Sequence, residues 1–358
     1  MLITNIGISF KTSDICIREK LSFNKQQKTH IYKEILEYKT ISGVVILCTC
    51  NRTEFYITSK NPKKATLKVL DLLREFYPLN EDEIREHLYF STCTESTEHL
   101  FKVCSGVDSL LIGEDQILNQ IKIAYFESIE NNCSDKVIHT LFQKAIHVGK
   151  KVRANTQINK KSTSFGGLAL DIATSLFGAL SNKSVLVIGT GEIGNTVINS
   201  FSKKGLKDLY IANRSIEKAE ELKIMFPKSQ IIPFNGFLES IAIVDIVVCC
   251  TSSKVPIITK ENCAKYMEAR ENKKILIVDL AIPRNVSTDL NDFSFVELID
   301  MDSLKKIINQ NCCNRHDAVE DAEEIISAEM KKFDDWLSVL HVVPMIQQMK
   351  ENAEEIKN

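Results

Sequence analysis

A multidomain α/β fold is predicted by three stretches of the 358-residue sequence. The apolar residues 44–47 run into Cys48-Thr49-Cys50-Asn51-Arg52-Thr53-Glu54, which is how a buried strand looks where it delivers a nucleophile to the mouth of a site. A second apolar strand, 184–188, runs into Gly189-Thr190-Gly191-Glu192-Ile193-Gly194 and then into a helical pattern. Beyond residue 300 the chain is charged and helical, with one apolar stripe. The expectation is an N-terminal α+β domain carrying the chemistry, a dinucleotide-binding Rossmann domain and a long C-terminal helix.

The length suits two or three domains with ample core. Hydrophobic residues at 44% and charged residues at 26% are those of an ordinary globular chain. The net charge of −2 excludes a polycation, so contact with nucleic acid has to come from a local patch. Met1-Leu2-Ile3-Thr4-Asn5 leads straight into a strand pattern, without the basic start and apolar segment of an export signal. No apolar run reaches membrane-spanning length. A cytoplasmic location is therefore expected. The 11 cysteines are odd in number and irregularly spaced, so they read as reduced thiols. No CxxC pair is present, which argues against a structural zinc site.

Taken in order, residues 2–9 alternate as a strand, 17–38 are mostly helical, 43–47 are a buried strand and 55–58 are extended. Residues 62–77 form a helix with apolar positions at Leu67, Leu70, Leu73 and Phe76. Residues 95–153 are helical, interrupted at Ser105-Gly106-Val107-Asp108-Ser109-Leu110-Leu111-Ile112-Gly113-Glu114-Asp115-Gln116. Two glycines among polar residues make poor helix, and a loop offering donors and acceptors is the natural reading. Gln116 and Gln120 lie one helical turn apart on a common face. His99 precedes this loop, and its interest depends on whether it comes near Cys50. Lys144, Lys150, Lys151, Arg153, Lys160 and Lys161 form a basic segment with no acid among them. It is either a solvated helix face or a phosphate-backbone contact. Residues 162–180 are a helix of small residues suited to close packing.

Strand, glycine loop and helix at 184–194 is the context that a G-x-G-x-x-G motif requires. The glycines allow a tight turn and close approach of backbone to pyrophosphate, and the helix N-terminus favours the anion. The next strand, 209–212, ends in Asn213-Arg214-Ser215, where an NAD site would usually carry an acid for the ribose hydroxyl. Arg214 and Ser215 can receive a 2′-phosphate, which argues for NADP. A helix at 216–226 and strands at 230–233, 245–251, 275–280 and 295–299 continue the alternation. Cys249 and Cys250 end a buried strand and read as packing residues. Ala322, Ile325, Ile326, Met330, Phe333, Trp336 and Leu337 form a stripe that must bury against this chain or a second copy.

A guanidinium near Cys50 would favour the thiolate. Taken alone, Cys48 and Cys50 read more readily as two packed cysteines at a strand end. Beside an NADP-type domain they suggest reduction through a thioester: the thiol attacks an activated carboxyl, and hydride from the other domain gives an aldehyde. The two domains would then have to meet across a cleft. An NADP-dependent dehydrogenase with a structural Cys50, and a redox-sensing NADP-binding protein switching through Cys48 and Cys50, are the alternatives.

Nearly the whole chain resembles the glutamyl-tRNA reductases. The blocks that carry the likeness are Gly7-Ile8-Ser9-Phe10-Lys11-Thr12, Ile17-Arg18-Glu19-Lys20-Leu21, Thr49-Cys50-Asn51-Arg52-Thr53-Glu54, His99-Leu100-Phe101, Ser105-Gly106-Val107-Asp108-Ser109, Gly113-Glu114-Asp115-Gln116-Ile117-Leu118, Gly149-Lys150-Lys151-Val152-Arg153, the glycine loop, and Asp279-Leu280-Ala281-Ile282-Pro283-Arg284. The resemblance implies NADPH-dependent reduction of glutamyl-tRNA(Glu) to glutamate-1-semialdehyde through a Cys50 thioester, the first step from glutamate towards 5-aminolevulinate and the porphyrins. It implies a catalytic role for His99 and no metal. Thr49, Asn51, Arg52, Ser109, Glu114, Asp115, Gln116 and Gln120 are the implied substrate-binding residues, with Arg52 facing a substrate carboxylate. Gly189, Thr190, Gly191, Glu192, Ile193, Gly194, Asn213, Arg214 and Ser215 are those expected to hold NADPH. A homodimer, and transient contact with the aminomutase that consumes glutamate-1-semialdehyde, are implied as partners. The corresponding domains are 1–155 (catalytic, binding glutamyl-tRNA), 156–182 (linking helix), 183–300 (NADP-binding) and 301–358, a C-terminal helical region with a shortened dimerisation module. Cys48, where the family commonly has a smaller residue, is expected to face the same side as Cys50 and to pair with it on oxidation.

Overall fold

The computed structural model describes residues 2–76, 85–159, 164–310 and 316–357. The chain folds into two compact units that are not contiguous in sequence. Met1–Ser13, Phe23–Ser162 and Cys313–Asn358 form the first, and Asp14–Ser22 with Thr163–Cys312 form the second. Helix α1 (Ile15–Lys20) thus belongs to the second unit, although in sequence order it comes between elements of the first.

In the first unit, β1 (Leu2–Ser9), β2 (Ile41–Cys48), β3 (Arg52–Ser59) and β4 (Tyr89–Thr92) form an antiparallel sheet in the order β2-β3-β1-β4. The pairing of β1 with β3 runs without a slip from Leu2 opposite Ser59 to Ser9 opposite Arg52. Residues of β2 and β3 are buried almost throughout because both faces of the sheet are covered, so neither strand shows the alternation of a half-exposed one. Helices α2 (Lys25–Leu36) and α3 (Pro62–Phe76) cover one face. The segment 17–38 is two helices instead of one because Asn24 starts α2 with a reciprocal cap: its Oδ1 accepts from Gln27 N at 2.9 Å and its own N–H donates to Gln27 Oε1 at 3.0 Å. On α3 the buried residues are Ala65, Val69, Leu70, Leu72 and Leu73, while Leu67 is 49% exposed. Tyr77, the expected end of that helix, lies outside the described residues.

The other face is covered by α4 (Thr94–Ser105), α5 (Gln116–Glu130) and α6 (Lys136–Asn155). Phe101, Ile121, Leu141 and Phe142 pack there against Ile3, Val45, Leu47 and Tyr56. Gly106 closes α4 at φ 77°, and Gly113 sits at φ 79° with its N–H on Gly106 O at 2.9 Å. Both conformations favour glycine. The expected loop between α4 and α5 is therefore a tight, self-bonded one.

The second unit begins its Rossmann layer with α7 (Phe165–Phe177), then β5 (Ser184–Ile188), α8 (Glu192–Ser202), β6 (Asp208–Asn213), α9 (Ile216–Met225), β7 (Ser229–Pro233), α10 (Phe237–Ser240), β8 (Ile246–Cys249), α11 (Lys260–Glu268), β9 (Ile275–Asp279), β10 (Val296–Ile299) and α12 (Met301–Gln310). The six strands are parallel in the order β10-β9-β8-β5-β6-β7. Strand order reverses at β5, and the crevice at its carboxyl end is where such sheets bind nucleotides. The small residues of α7 allow the expected close packing: a Cβ on Gly166 would lie 2.4 Å from Thr196 O of α8. Helix α1 is held in this unit by an ion pair of the buried Arg18, which donates to Asp302 Oδ1 at 2.8 Å, while Ile15 N donates to Asp302 Oδ2 at 3.0 Å.

Helix α13 (His316–Lys357) returns to the first unit. Its stripe buries against this chain: Ala322, Ile326, Met330 and Phe333 pack on α4 and α6, with the Phe333 and Phe101 rings 6.3 Å apart. Burying one such phenylalanine contributes about 2 kcal/mol. Among the described residues no helix is long and apolar enough to cross a membrane.

Candidate active site

Cys50 stands at the tip of the β2–β3 hairpin. Thr49 N donates to Arg52 O at 2.8 Å, and Thr49 Oγ1 accepts from the N–H groups of Asn51 and Arg52 at 3.1 and 3.2 Å. A side-chain oxygen that satisfies two turn amides fixes the backbone around the residue it encloses. Asn51 is buried and its carbonyl receives Phe10 N at 2.8 Å. Cys50 is half-buried. Cys48 is still on β2, opposite Thr53, and its Sγ accepts from Phe23 N at 3.3 Å. Because Cys50 is in the turn, strand alternation does not relate the two sulfurs, and the reason for expecting them on one side is removed.

Residues 52, 54 and 56 share the face of β3 that meets α4 to α6. Arg52 NH1 donates to Glu54 Oε1 at 2.6 Å, and NH2 donates to Asp108 O and lies 3.6 Å from Asp108 Oδ1. The guanidinium expected to meet a substrate carboxylate meets protein acids instead, and it is 2% exposed. Glu54, fully buried, also accepts from Tyr56 Oη at 2.6 Å and from Tyr89 Oη, and lies 3.0 Å from His99 Nε2. The other ring nitrogen, Nδ1, lies 3.4 Å from Asp108 Oδ2, and Lys11 Nζ reaches Asp108 Oδ1 at 2.7 Å. Burial pushes the Glu54 carboxyl up, but Arg52, then His99 and Tyr56, outweigh it and hold the group well below the usual carboxylate range. Asp108 is lowered in the same way, chiefly by Arg52 and Lys11 against its burial. Burial and then Glu54 push the phenols of Tyr56 and Tyr89 well up, so both stay donors. The hairpin arginine, the α4 histidine and the 105–116 loop are thus joined by ionised groups.

Further along that loop, Ser109 is buried and its hydroxyl has no hydrogen-bond partner among the described residues. Glu114 and Asp115 are tied to α6 by Arg153, which donates to Glu114 O at 2.9 Å, to Asp115 Oδ1 at 3.3 Å and to Cys104 O at 2.7 Å. Gln116 opens α5, with Gln120 one turn on, and both are half-buried. The basic segment is largely engaged within the protein. Lys144 and Lys151 meet the buried Glu329 of α13 at 2.6 and 3.0 Å, Arg153 is the loop staple, and Lys150 is exposed. Lys160 and Lys161 lie outside the described residues.

Sequence reading passed over Glu54, Tyr56, Tyr89, Asp108 and Lys11. A signal was available at Arg52-Thr53-Glu54: two opposite charges two apart at the start of an apolar strand lie on one face, and a face toward the core forces them to pair.

In the second unit the glycine loop surrounds open space. Gly189 has φ 99°, and a Cβ on Gly194 would sit 2.1 Å from Gly189 O, so these two set the turn and the helix–strand approach. A Cβ on Gly191 would meet nothing within 4 Å, and Gly191 caps α8 without any side-chain cap bond. The helix N-terminus therefore faces a cleft of about 340 Å³ shared by Thr190, Arg214, Ser215 and Thr251. Glu192 and Ile193 begin α8, exposed and half-buried respectively. At the end of β6, Asn213 Nδ2 donates to Ser215 O at 2.9 Å, Ser215 caps α9, and Arg214 lies over the Phe234 ring at 5.4 Å. Lys218 also lines this end and was not anticipated. A pyrophosphate at Gly191 and an anionic group between Arg214 and Lys218 both suit these donors. Cys250 donates to the carbonyls of Ile188 and Gly189 at 3.3 Å each, and burial pushes its thiol up to about 12, as expected of a packing cysteine.

Family models match along the chain. One described as the glutamyl-tRNAGlu reductase N-terminal domain covers residues 6–156. A shikimate/quinate 5-dehydrogenase model covers 171–307, and a glutamyl-tRNAGlu reductase dimerisation domain covers 321–358. The glutamyl-tRNA reductase of Carboxydothermus hydrogenoformans is 37% identical over 357 residues, covering 100% of this chain and 79% of the relative. That of Pelotomaculum thermopropionicum is 34% identical, covering 100% and 80%. The solved glutamyl-tRNA reductase from Methanopyrus kandleri matches with a TM-score of 0.55 at 29% identity, covering 99% of this chain and 85% of that one. The dehydrogenase model over the Rossmann domain and the reductases among the relatives make this an NAD(P)-binding oxidoreductase. The chain belongs to the glutamyl-tRNA reductase family, whose reaction opens tetrapyrrole synthesis from glutamate.

Proposed function

We propose that this chain reduces glutamyl-tRNA(Glu) to glutamate-1-semialdehyde with NADPH, through a thioester on Cys50. The observation that carries this reading is the hairpin tip itself: a half-buried thiol two residues before Arg52, whose side chain joins Glu54, Asp108 and, through them, His99 in one network. Cys50 sulfur attacks the ester carbonyl, a C–S bond forms, and the bond to the tRNA's terminal ribose oxygen breaks. The thiol proton passes by way of His99, which lies between Glu54 and Asp108, to that oxygen. Arg52 holds Glu54 and the 108 loop in place, while the unpartnered Ser109 hydroxyl, with Glu114, Gln116 and Gln120, recognises the glutamyl group. Gly191 and the first turn of α8 bind the pyrophosphate, and Arg214, Ser215 and Lys218 the 2′-phosphate of NADPH. When bound, NADPH supplies the hydride that turns the thioester into an aldehyde as Cys50 sulfur leaves. Lys150 contributes to the tRNA-backbone contact and α13 to a homodimer, and the aldehyde passes to an aminomutase in the cytoplasm.

Incubation with glutamyl-tRNA but without NADPH should add one glutamyl mass to the protein, at Cys50. Absence of the adduct, or its persistence in Cys50→Ser, would refute the mechanism.

A further inference from the structure

Two sequence blocks that the proposed chemistry leaves without a role, Ile17-Arg18-Glu19-Lys20-Leu21 and Asp279-Leu280-Ala281-Ile282-Pro283-Arg284, meet within the second unit. Glu19 Oε1 of α1 accepts from Arg284 N at 2.6 Å and from Arg284 Nε at 3.0 Å, and Arg284 NH2 lies 3.5 Å from Glu19 Oε2. Backbone and side chain of one residue are thus held by one carboxylate. The next residue, Asn285, is fully buried. Its N–H donates to Asp279 Oδ2 at 2.7 Å, and its Oδ1 accepts both Thr251 N at 2.9 Å and Thr251 Oγ1 at 2.7 Å. Thr251 Oγ1 in turn accepts Ser253 N at 3.2 Å. Thr251, Ser252 and Ser253 line the dinucleotide cleft at the end of β8, across the switch point from Arg214 and Ser215. A dinucleotide whose 2′-phosphate sits at Arg214 brings its reactive nucleotide to this edge. Hydrogen bonds on either side of the Arg284–Asn285 peptide bond therefore connect Glu19 to the cleft wall.

Within the second unit α1 is anchored a second time, by the Arg18–Asp302 pair.

We infer that Glu19 and Arg284 are positioning residues for hydride transfer: through Asn285 they fix the Thr251–Ser253 wall against which the reactive end of the dinucleotide lies. The inference rests on the two-step reading above. Misplacing a reacting centre by about 1 Å can cost on the order of 10²-fold in rate. Acylation of Cys50, which uses groups of the other unit, does not depend on this wall.

The test uses the full chain as Glu19→Gln, Arg284→Lys and Thr251→Val, each checked for an unchanged melting transition. Three quantities are read: glutamyl adduct formed on Cys50 without NADPH, single-turnover reduction of that adduct on adding NADPH, and amide exchange of Thr251 in the protein without cofactor. The expected result for Glu19→Gln is acylation within about twofold of wild type, reduction slower by at least about tenfold, and faster exchange at Thr251. Thr251→Val should show the same split, and Arg284→Lys, which keeps the backbone N–H bond and the charge, should recover part of the loss. Reduction at the wild-type rate with unchanged exchange overturns the inference. Equal losses in acylation and reduction also overturn it, since they mark a merely structural role. A wild-type protein that forms no adduct refutes the thioester reading instead, and Thr251 exchange in Glu19→Gln still decides whether the relay exists.

Discussion

Arg52 and Glu54 stand two residues apart on β3 with their charged groups 2.6 Å apart and almost no surface exposed. The pair is held in a low-dielectric setting by two tyrosine hydroxyls, His99 and the Asp108 carbonyl. Removing one partner of such a pair leaves an uncompensated buried charge. Glu54→Gln is expected to lower unfolding stability by about 3 kcal/mol in urea titrations. Because Glu54 stays ionised far below neutrality, the pair's contribution should be constant from pH 6 to 9 and fall only in acid.

His99 lies between two carboxylates, Glu54 of β3 and Asp108 of the 105–116 loop. If it moves the proton to the departing ribose oxygen, His99→Gln should slow formation of the Cys50 adduct by about 10²-fold. The melting transition should move far less than in Glu54→Gln. Adduct formation at the normal rate would remove His99 from the proposed chemistry.

Cofactor preference should reside at the end of β6. Arg214→Ser with Lys218→Ala is expected to weaken NADPH binding about tenfold or more and to leave NADH nearly unchanged, as read by fluorescence titration. Equal weakening of both would mean that these cations act on the pyrophosphate or on the fold.

Glu329 gathers Lys144, Lys151 and Lys332 at 2.6, 3.0 and 2.7 Å and ties α13 to α6. Burial raises its carboxyl, and the three lysines outweigh burial, so its pKa lies well below the ordinary value. A depressed carboxyl contributes stability that is fully present above the unfolded value of about 4.3 and is lost as pH falls through the folded one. Glu329→Gln should therefore cost about 2 kcal/mol at pH 7. Urea midpoints of variant and wild type should converge as the pH drops below about 4. Parallel curves would show that the clasp is held by packing alone.

The Rossmann unit was legible in the sequence because its signals are local. Strand, glycine turn and helix at 184–202 announce themselves within one window, and the strands predicted at 209–212, 230–233, 275–280 and 295–299 all appear within a residue or two. The apolar stripe of α13 was equally clear, but periodicity cannot name what covers it. Its burial on Phe101 and α6 depends on chain that lies far earlier in the sequence. The site was half-legible. Cys50, Arg52 and His99 stand out as residue types, yet their linkage passes through Glu54 and Asp108, which read locally as a strand residue and a loop residue. The role of α1 was hidden for the same reason: an amphipathic turn between two strands gives no sign that its partners are Arg284 and Asp302.

Gly7 stands opposite Glu54 on the neighbouring strand. A Cβ there would lie 2.8 Å from Glu54 Cγ and 2.7 Å from Thr53 O. One absent methyl group on β1 thus sets how deeply an anion can be sunk into the sheet. In a saturation library selected for growth without the enzyme's product, position 7 should be as intolerant as Cys50, although it carries no functional group at all.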